Sequence, residues 1–212
     1  SRLGTWVRRI SAPDTYRVDT EDMGGWLAAQ VTEQIRDLER RGQGLAAFVV
    51  DSLFSSDGIF AHSHGILEPV LKVVRDAGGI FVADEVQCGF ARTGSHMWGY
   101  QRHGVVPDIV SMGKPMGNGY PVAGIAVRPE VASKFGHDMR YFNTFGGNTV
   151  AMAAANATLE VLHDENLIAN SRVVGKKMLS SLNDIMQEDE RIGDVRGSGL
   201  YMGIEIVKDR ET

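Results

Sequence analysis

The sequence predicts an α/β protein with a mostly parallel sheet flanked by helices, followed by the start of a small α+β domain. Three observations predict this class: short continuous apolar segments, longer amphipathic segments between them, and glycine-rich breaks that separate one from the next. Strands of a parallel sheet are covered by helices on both faces, so they read as continuous apolar runs. We therefore expect the apolar runs to be buried strands and the amphipathic segments to be their covering helices.

The first half of the chain predicts a helix followed by a strand–helix–strand unit. Residues 24–41 have apolar side chains at helical spacing on one face and charged ones on the other. Residues 46–50 and 80–83 are continuous apolar runs, and residues 67–77 between them have a helical pattern. Such a unit has parallel strands and a right-handed crossover. The apolar face of the first helix consists of Leu27, Val31, Ile35 and Leu38.

The second half continues with two strands, two long helices and a strand of a different type. Residues 108–112 and 123–127 are predicted strands, and residues 146–163 form an Ala-rich helix. Residues 166–188 predict a longer helix, and residues 200–207 alternate as a half-exposed antiparallel strand does. The apolar face of the longer helix would carry Leu167, Val174, Met178, Leu182 and Ile185.

These elements divide the chain into two predicted domains. Residues 1–165 would form most of a parallel-sheet domain, and residues 166–212 a linking helix and the beginning of a second, smaller domain. The chain opens without an initiator Met and stops soon after a strand that still needs covering. We therefore expect an internal piece of a longer polypeptide.

The composition excludes several classes of function. Hydrophobic residues make up 43% and charged residues 23%, which are globular values, and the net charge of −5 is wrong for a general nucleic-acid binder. No apolar run reaches the ~20 residues of a membrane span. The single cysteine, Cys88, excludes an internal disulfide, and His62 and His64 lack a third ligand at metal-binding spacing. We expect a soluble, cytoplasmic protein with no nucleic-acid, membrane or metal partner.

Charged side chains follow three of the predicted strands. They are Asp51, Asp84 and Lys114, and ligands of open parallel sheets bind beyond the carboxyl ends of the strands. A partly desolvated lysine forms Schiff bases with carbonyls, and a carboxylate beside a pyridine nitrogen keeps that ring an electron sink. Asp51 alone is better read as a charged loop residue. The pair of Asp84 and Lys114 predicts pyridoxal-phosphate chemistry.

Three segments resemble the class III pyridoxal-phosphate-dependent aminotransferases and occur in that family's order. They are FVADEVQCGFARTG at residues 81–94, PDIVSMGK at 107–114 and FNTFGGN at 142–148. Residues 195–200, VRGSGL, resemble the start of the family's C-terminal domain, so the resemblance spans nearly the whole chain. Residues 113–119 and 193–197 are most similar to the branch that contains alanine–glyoxylate aminotransferase 2-like proteins and ethanolamine-phosphate phospho-lyases.

The resemblance implies fold type I of the pyridoxal-phosphate enzymes and a role for each matching residue. Lys114 would carry the cofactor as a Schiff base and move the proton, while Asp84 would pair with the pyridinium nitrogen. Val86 would pack on a face of the ring, and Gln87 would hydrogen-bond near its phenolic oxygen. Thr144 would bind the phosphate of the neighbouring subunit's cofactor, which implies a homodimer with its sites at the subunit interface.

The chain also departs from the family's pattern. The N-terminal phosphate loop, the aromatic residue that stacks on the cofactor and the C-terminal arginine for a substrate carboxylate are absent from this sequence. Asp51 stands where ω-amino relatives commonly have Glu. Strand alternation turns Glu85 away from Asp84, so we interpret Glu85 as structural. Pro115 is expected to hold Lys114 in an extended backbone conformation.

The resemblance implies a pyridoxal-phosphate-dependent aminotransferase that moves an amino group from an amine or amino acid to a 2-oxo acid. Two alternatives stay open. One is a phospho-lyase acting on an amino-alcohol phosphate, and the other is a catalytically incomplete fragment or scaffold. The sequence does not identify the amino donor or acceptor.

Overall fold

The computed structural model describes residues 3–61 and 64–210, which form a four-stranded sheet, a two-stranded hairpin and five helices. The helices are α1 (Met23–Arg40), α2 (Leu67–Asp76), α3 (Pro129–Asp138), α4 (Thr149–Asp164) and α5 (Leu167–Glu188). The strands are β1 (Ala47–Val50), β2 (Ile80–Asp84), β3 (Ile109–Met112), β4 (Gly124–Val127), β5 (Ile192–Ser198) and β6 (Tyr201–Ile206). The sequence pattern missed α3 and β5.

The larger sheet has the strand order β1-β2-β3-β4. The first three strands are parallel, and β4 is antiparallel to β3, so the predicted mostly parallel sheet is confirmed. In the register of β2 and β3, Asp84 lies opposite Ser111. The smaller sheet is the antiparallel hairpin of β5 and β6.

The main core lies between the helices α1 and α2 and one face of the sheet. Helix α1 begins at an N-cap, where the side chain of Asp22 accepts a hydrogen bond from the backbone N–H of Gly25. The predicted apolar face of α1 is confirmed, since its four residues are buried. The sheet contributes Phe81 and Ala83 from β2 and Val50 from β1 to the same core.

The prediction that the first two strands are buried on both faces is wrong. The core-facing residues of β1 and β2 pack under α1 and α2, but Val49 on the opposite face of β1 is 62% exposed. Its register partner Val82 is half-buried. Both helices cover the same face of the sheet, so the other face has less cover within the described residues.

The prediction that the apolar face of α5 is buried is also wrong. Val174, Met178 and Ile185 are exposed, and the buried residues of α5 are Ser171 and Gly175. A side chain at Gly175 would collide with the carbonyl of Gly199 in the β5–β6 turn. Helix α5 therefore lies on the hairpin through its smallest residue instead of its apolar stripe.

Candidate active site

The parallel strands β2 and β3 bring two charged side chains to one edge of the sheet. Asp84 is the last residue of β2, and Lys114 follows the end of β3 after a single glycine. Because neighbouring parallel strands end at the same edge, the carboxylate and the amine both lie at this edge of the sheet.

A cavity of about 400 Å³ opens at this edge. It brings together Lys114, Val86 and Gln87, three of the residues that the sequence placed at the cofactor. Its other lining residues are Arg92, Pro115, Asn118, Gly119 and Tyr201. Sequence reasoning gives no role to Arg92 or Tyr201, whereas it marks the loop of residues 117–119 as one that lets backbone N–H groups approach a phosphate. Arg92, Asn118 and Gly119 lie in or next to the quoted motifs, whereas Tyr201 reaches the cavity only through tertiary packing.

Asp84 is not among the lining residues, but it lies at the same sheet edge and is held by two hydrogen bonds. Its Oδ1 accepts from the backbone N–H of Val86 at 3.1 Å and from the Oγ of Ser111 at 3.0 Å. The donor on β3 comes from the residue directly opposite Asp84 in the strand register. Oδ2 accepts no hydrogen bond from residues 3–61 or 64–210, so one carboxylate oxygen is fixed and the other is left for a ligand.

Lys114 has a backbone conformation that the sequence did not predict. Its φ is +24°, and it begins a short 3₁₀ turn, Lys114–Gly117, so the prediction that Pro115 holds it extended is wrong. The turn is closed by a hydrogen bond of 2.8 Å from Met116 N–H to the Gly113 carbonyl. Proline at the third position of such a turn disfavours a right-handed residue before it. Lys114 therefore takes the sparsely populated positive-φ region, which is typical of functional sites.

Glu85 faces away from the cavity, as interpreted from the sequence. It is fully buried, and its carboxylate accepts hydrogen bonds from Ser52 Oγ and from the backbone N–H groups of Gly99 and Tyr100, at 2.6 to 2.9 Å. Burial raises the pKa of this carboxyl above its ordinary value. Cys88 is buried beside it, and burial raises the pKa of its thiol strongly, which disfavours the reactive thiolate.

Two remaining acidic or hydroxyl candidates lie outside the cavity lining. The carboxylate of Asp51 accepts from the backbone N–H groups of Leu53 and Ser55, at 3.0 and 3.2 Å, which agrees with a structural loop residue. Thr144 lies on the exposed segment before α4. Thr144 is not among the residues that line the cavity with Lys114.

The donor set at the cavity fits pyridoxal phosphate. The lining offers a primary amine at Lys114, an amide at Gln87 and an apolar surface at Val86. At the same sheet edge, the carboxylate of Asp84 has one oxygen without a hydrogen bond from the described residues. No cluster of three metal-ligating side chains occurs within the described ranges, and His62 lies outside them. In the same ranges no helix is long and apolar enough to cross a bilayer.

Comparison with known proteins gives a consistent picture. The family model described as "Aminotransferase class-III" matches residues 5–212. An alanine–glyoxylate aminotransferase 2-like protein of Drosophila melanogaster is 46% identical over 214 residues, which cover 97% of this chain and 43% of the relative. An ethanolamine-phosphate phospho-lyase homolog of Caenorhabditis elegans is 40% identical, over 98% of this chain and 48% of the relative.

Solved structures agree with the sequence relatives. A phospholyase from Arthrobacter in complex with phosphoethanolamine superposes with a TM-score of 0.91 at 40% identity, over 98% of this chain and 50% of that one. An aminotransferase of Bacillus anthracis superposes with a TM-score of 0.81 at 32% identity, over 94% of this chain and 44% of that one. The chain thus spans about half the length of its relatives.

These enzymes depend on pyridoxal phosphate, and their fold is type I, as the sequence predicted. The matched family spans nearly every residue of the sequence, and the similar proteins reported above include both aminotransferases and phospho-lyases. The chain belongs to the class III aminotransferase family.

Proposed function

We propose that this chain carries the lysine-bearing half of a pyridoxal-phosphate site that transfers an amino group from an amine or amino acid to a 2-oxo acid. The observation that supports this most is the cavity that unites Lys114, Val86 and Gln87 at the edge where Asp84 is fixed. Because the chain spans about half the length of its relatives, the proposal concerns the whole protein to which these residues belong.

Each residue has a task that its position supports. Lys114 would hold the cofactor through its Nζ, and its amine would move a proton at the substrate Cα. Asp84 is oriented through Ser111 and Val86, and its free oxygen would keep the ring nitrogen of the cofactor protonated. The protonated ring supplies the electron sink for this chemistry. Val86 would support a face of the ring, and the amide of Gln87 would be available for a hydrogen bond to it.

The second candidate is phospho-lyase chemistry on an amino-alcohol phosphate. It is favoured by the similarity to the Arthrobacter phospholyase, the TM-score of which is 0.91. Both reactions begin with removal of the Cα proton by Lys114. The two reactions differ afterwards, because the lyase eliminates the phosphate group, whereas the transferase transfers the amino group to a 2-oxo acid.

Product analysis separates the two candidates. The cofactor-loaded full-length protein would be incubated with phosphoethanolamine, and separately with alanine and a 2-oxo acid. Transamination predicts a new amino acid and no inorganic phosphate. Release of inorganic phosphate without consumption of the 2-oxo acid would reject transamination in favour of the lyase.

The role of Lys114 has its own test, which does not need the substrate. Borohydride reduction of the cofactor-loaded protein should fix the cofactor on the peptide that contains Lys114, detected by mass spectrometry. Lys114→Ala should abolish this covalent label, and Lys134→Ala, an exposed lysine of α3, should retain it. A label elsewhere, or none in the native protein, would leave the incomplete scaffold as the remaining interpretation.

We also propose the homodimer, with Thr144 serving the neighbouring subunit's site. Thr144 lies between Phe142 and Phe145, which are 85% and 80% exposed, so this segment offers an apolar surface to a partner. Mixing Lys114→Ala and Thr144→Ala subunits should restore activity, because one site of each hybrid then has both residues. Hybrids as inactive as the parents would place Thr144 outside the partner's site. The cytoplasmic location stays a prediction, since a human relative, alanine–glyoxylate aminotransferase 2, is named as mitochondrial.

A further inference from the structure

The cavity holds a second positive side chain besides Lys114. Arg92 lines the same cavity, and no acidic residue lines it within the part of the chain that the structure describes. If Lys114 is occupied by the cofactor, as the proposed function requires, Arg92 is the cation that remains for the substrate.

The guanidinium of Arg92 has no carboxylate partner among residues 3–61 and 64–210. Its contact is with the ring of Tyr201, whose centroid lies 5.0 Å from the Arg92 Cζ. Other arginines of the chain form ion pairs; Arg196, for example, pairs with both Asp194 and Glu205. A guanidinium that is stacked on a ring but not neutralised keeps its hydrogen-bonding edge for an oxyanion.

The backbone around Arg92 is fixed from both sides. The preceding residues Phe90 and Ala91 have φ values of +59° and +66°, a conformation that non-glycine residues take when their surroundings impose it. On the other side, the Arg92 carbonyl accepts from Leu200 N–H at 2.9 Å, and Ser198 Oγ donates to the Thr93 carbonyl at 2.9 Å. The turn of the β5–β6 hairpin therefore fixes the backbone position from which the Arg92 side chain extends.

From these observations we infer that Arg92 is a specificity-determining residue that binds the anionic group of the substrate, with Tyr201 supporting the guanidinium. This inference rests on the proposed function. It assigns the substrate to compounds that carry an amino group at one end and an oxyanion, phosphate or carboxylate, at the other. The bidentate edge of arginine matches both oxyanions. The inference differs from the family's C-terminal arginine, because Arg92 belongs to the cofactor domain.

The test compares substrates with and without an anionic end in the full-length, cofactor-loaded protein. Arg92→Leu should raise the KM for phosphoethanolamine about 10- to 100-fold, the usual loss for a hydrogen bond to a charged group. Its kcat/KM for propylamine, which lacks an anionic group, should stay within about 3-fold. Arg92→Lys should give an intermediate KM, because it keeps the charge and loses the bidentate geometry. Alanine as substrate distinguishes a carboxylate preference from a phosphate preference.

Calorimetric titration with inorganic phosphate gives a readout that does not depend on turnover. Arg92→Leu should weaken phosphate binding by the same factor as it raises the KM, and Arg36→Leu, an exposed arginine of α1, should change neither. If the protein turned over no amine, the proposed function would fail. The phosphate titration would still test whether Arg92 binds an oxyanion. Equal losses for phosphoethanolamine and propylamine, unchanged phosphate binding, or a weakened affinity for the cofactor itself would each overturn the inference.

Discussion

The sheet region and the helical region of this chain differ in how they bury apolar side chains. The sheet region, residues 23–128, has a continuous core in which α1 and α2 pack on β1 and β2. The helical region, residues 129–188, buries no residue of α3 and only two small residues in each of α4 and α5. Large apolar side chains such as Phe142 and Phe145 lie at its surface.

This difference indicates which parts of the fold depend on contacts outside the chain. Contiguous apolar surface is costly in water, so a region that displays it is normally covered by another surface. The sheet region carries the proposed site residues Asp84 and Lys114 on a core of its own. The helical region, which includes Thr144, needs covering that these residues do not provide, and this agrees with the proposed contact with a second subunit.

The largest effect should come from emptying the core of the sheet region. Phe81 is fully buried and stacks on Phe48, with ring centroids 6.2 Å apart. Phe81→Ala should lower the free energy of unfolding by about 3–5 kcal/mol, because it removes buried apolar surface and leaves a cavity. Urea unfolding of the 212-residue chain measures it. The matched change Phe145→Ala, in the helical region, should cost less than about 0.5 kcal/mol. Equal costs would contradict the contrast between the regions.

A second prediction uses a buried histidine of the sheet region. His103 donates from Nε2 to the Ser52 carbonyl at 2.8 Å, and its Nδ1 is buried without a partner in the described chain. Burial, aided by the nearby Arg102 and His64, lowers the pKa of His103 from 6.5 to about 4. The unfolded chain therefore takes up this proton at a higher pH than the folded one. The stability that the neutral ring provides is complete above pH 6.5 and is lost as the pH falls towards 4.

The comparison of variants isolates this effect. Between pH 7 and pH 4, the free energy of unfolding of the native protein should fall by about 3 kcal/mol more than that of His103→Gln. Unfolding free energies measured at both pH values, for both proteins, give this difference. The exposed His137 of α3 serves as the control, and His137→Gln should behave as the native protein does. A native pH dependence that survives in His103→Gln would assign it to other groups.

The parts of the fold that were predictable from the sequence are those that local patterns decide. The helical period fixed the buried face of α1, and the rule for parallel strands placed Asp84 and Lys114 at one edge. The turn at Lys114 was not predictable, because it depends on the Met116–Gly113 hydrogen bond acting together with Pro115.

The sites that depend on tertiary packing were hidden for the same reason. Tyr201 and Arg92 meet in the cavity because the turn of the hairpin packs on the segment that follows β2, and no spacing in the sequence reports that contact. Strand β5 was missed because its glycines and charged residues have no strand pattern; pairing with β6 makes it a strand.

The smallest effect concerns the contact that joins the helical region to the hairpin. A methyl group at Gly175 of α5 would collide with the backbone carbonyl of Gly199. Gly199 has a φ of +57° and is itself packed against the backbone of residues 92–94, so it has little room to move away. Gly175→Ala should therefore destabilise the protein by about 2 kcal/mol. Gly136→Ala, in α3, has no atom within 4 Å of the added carbon, so it should stabilise its helix by about 0.5–1 kcal/mol. Thermal unfolding of both variants measures the pair. If both variants were stabilised, α5 would not pack against the hairpin at Gly199, and the contact between Gly175 and Gly199 would not join the helical region to the hairpin.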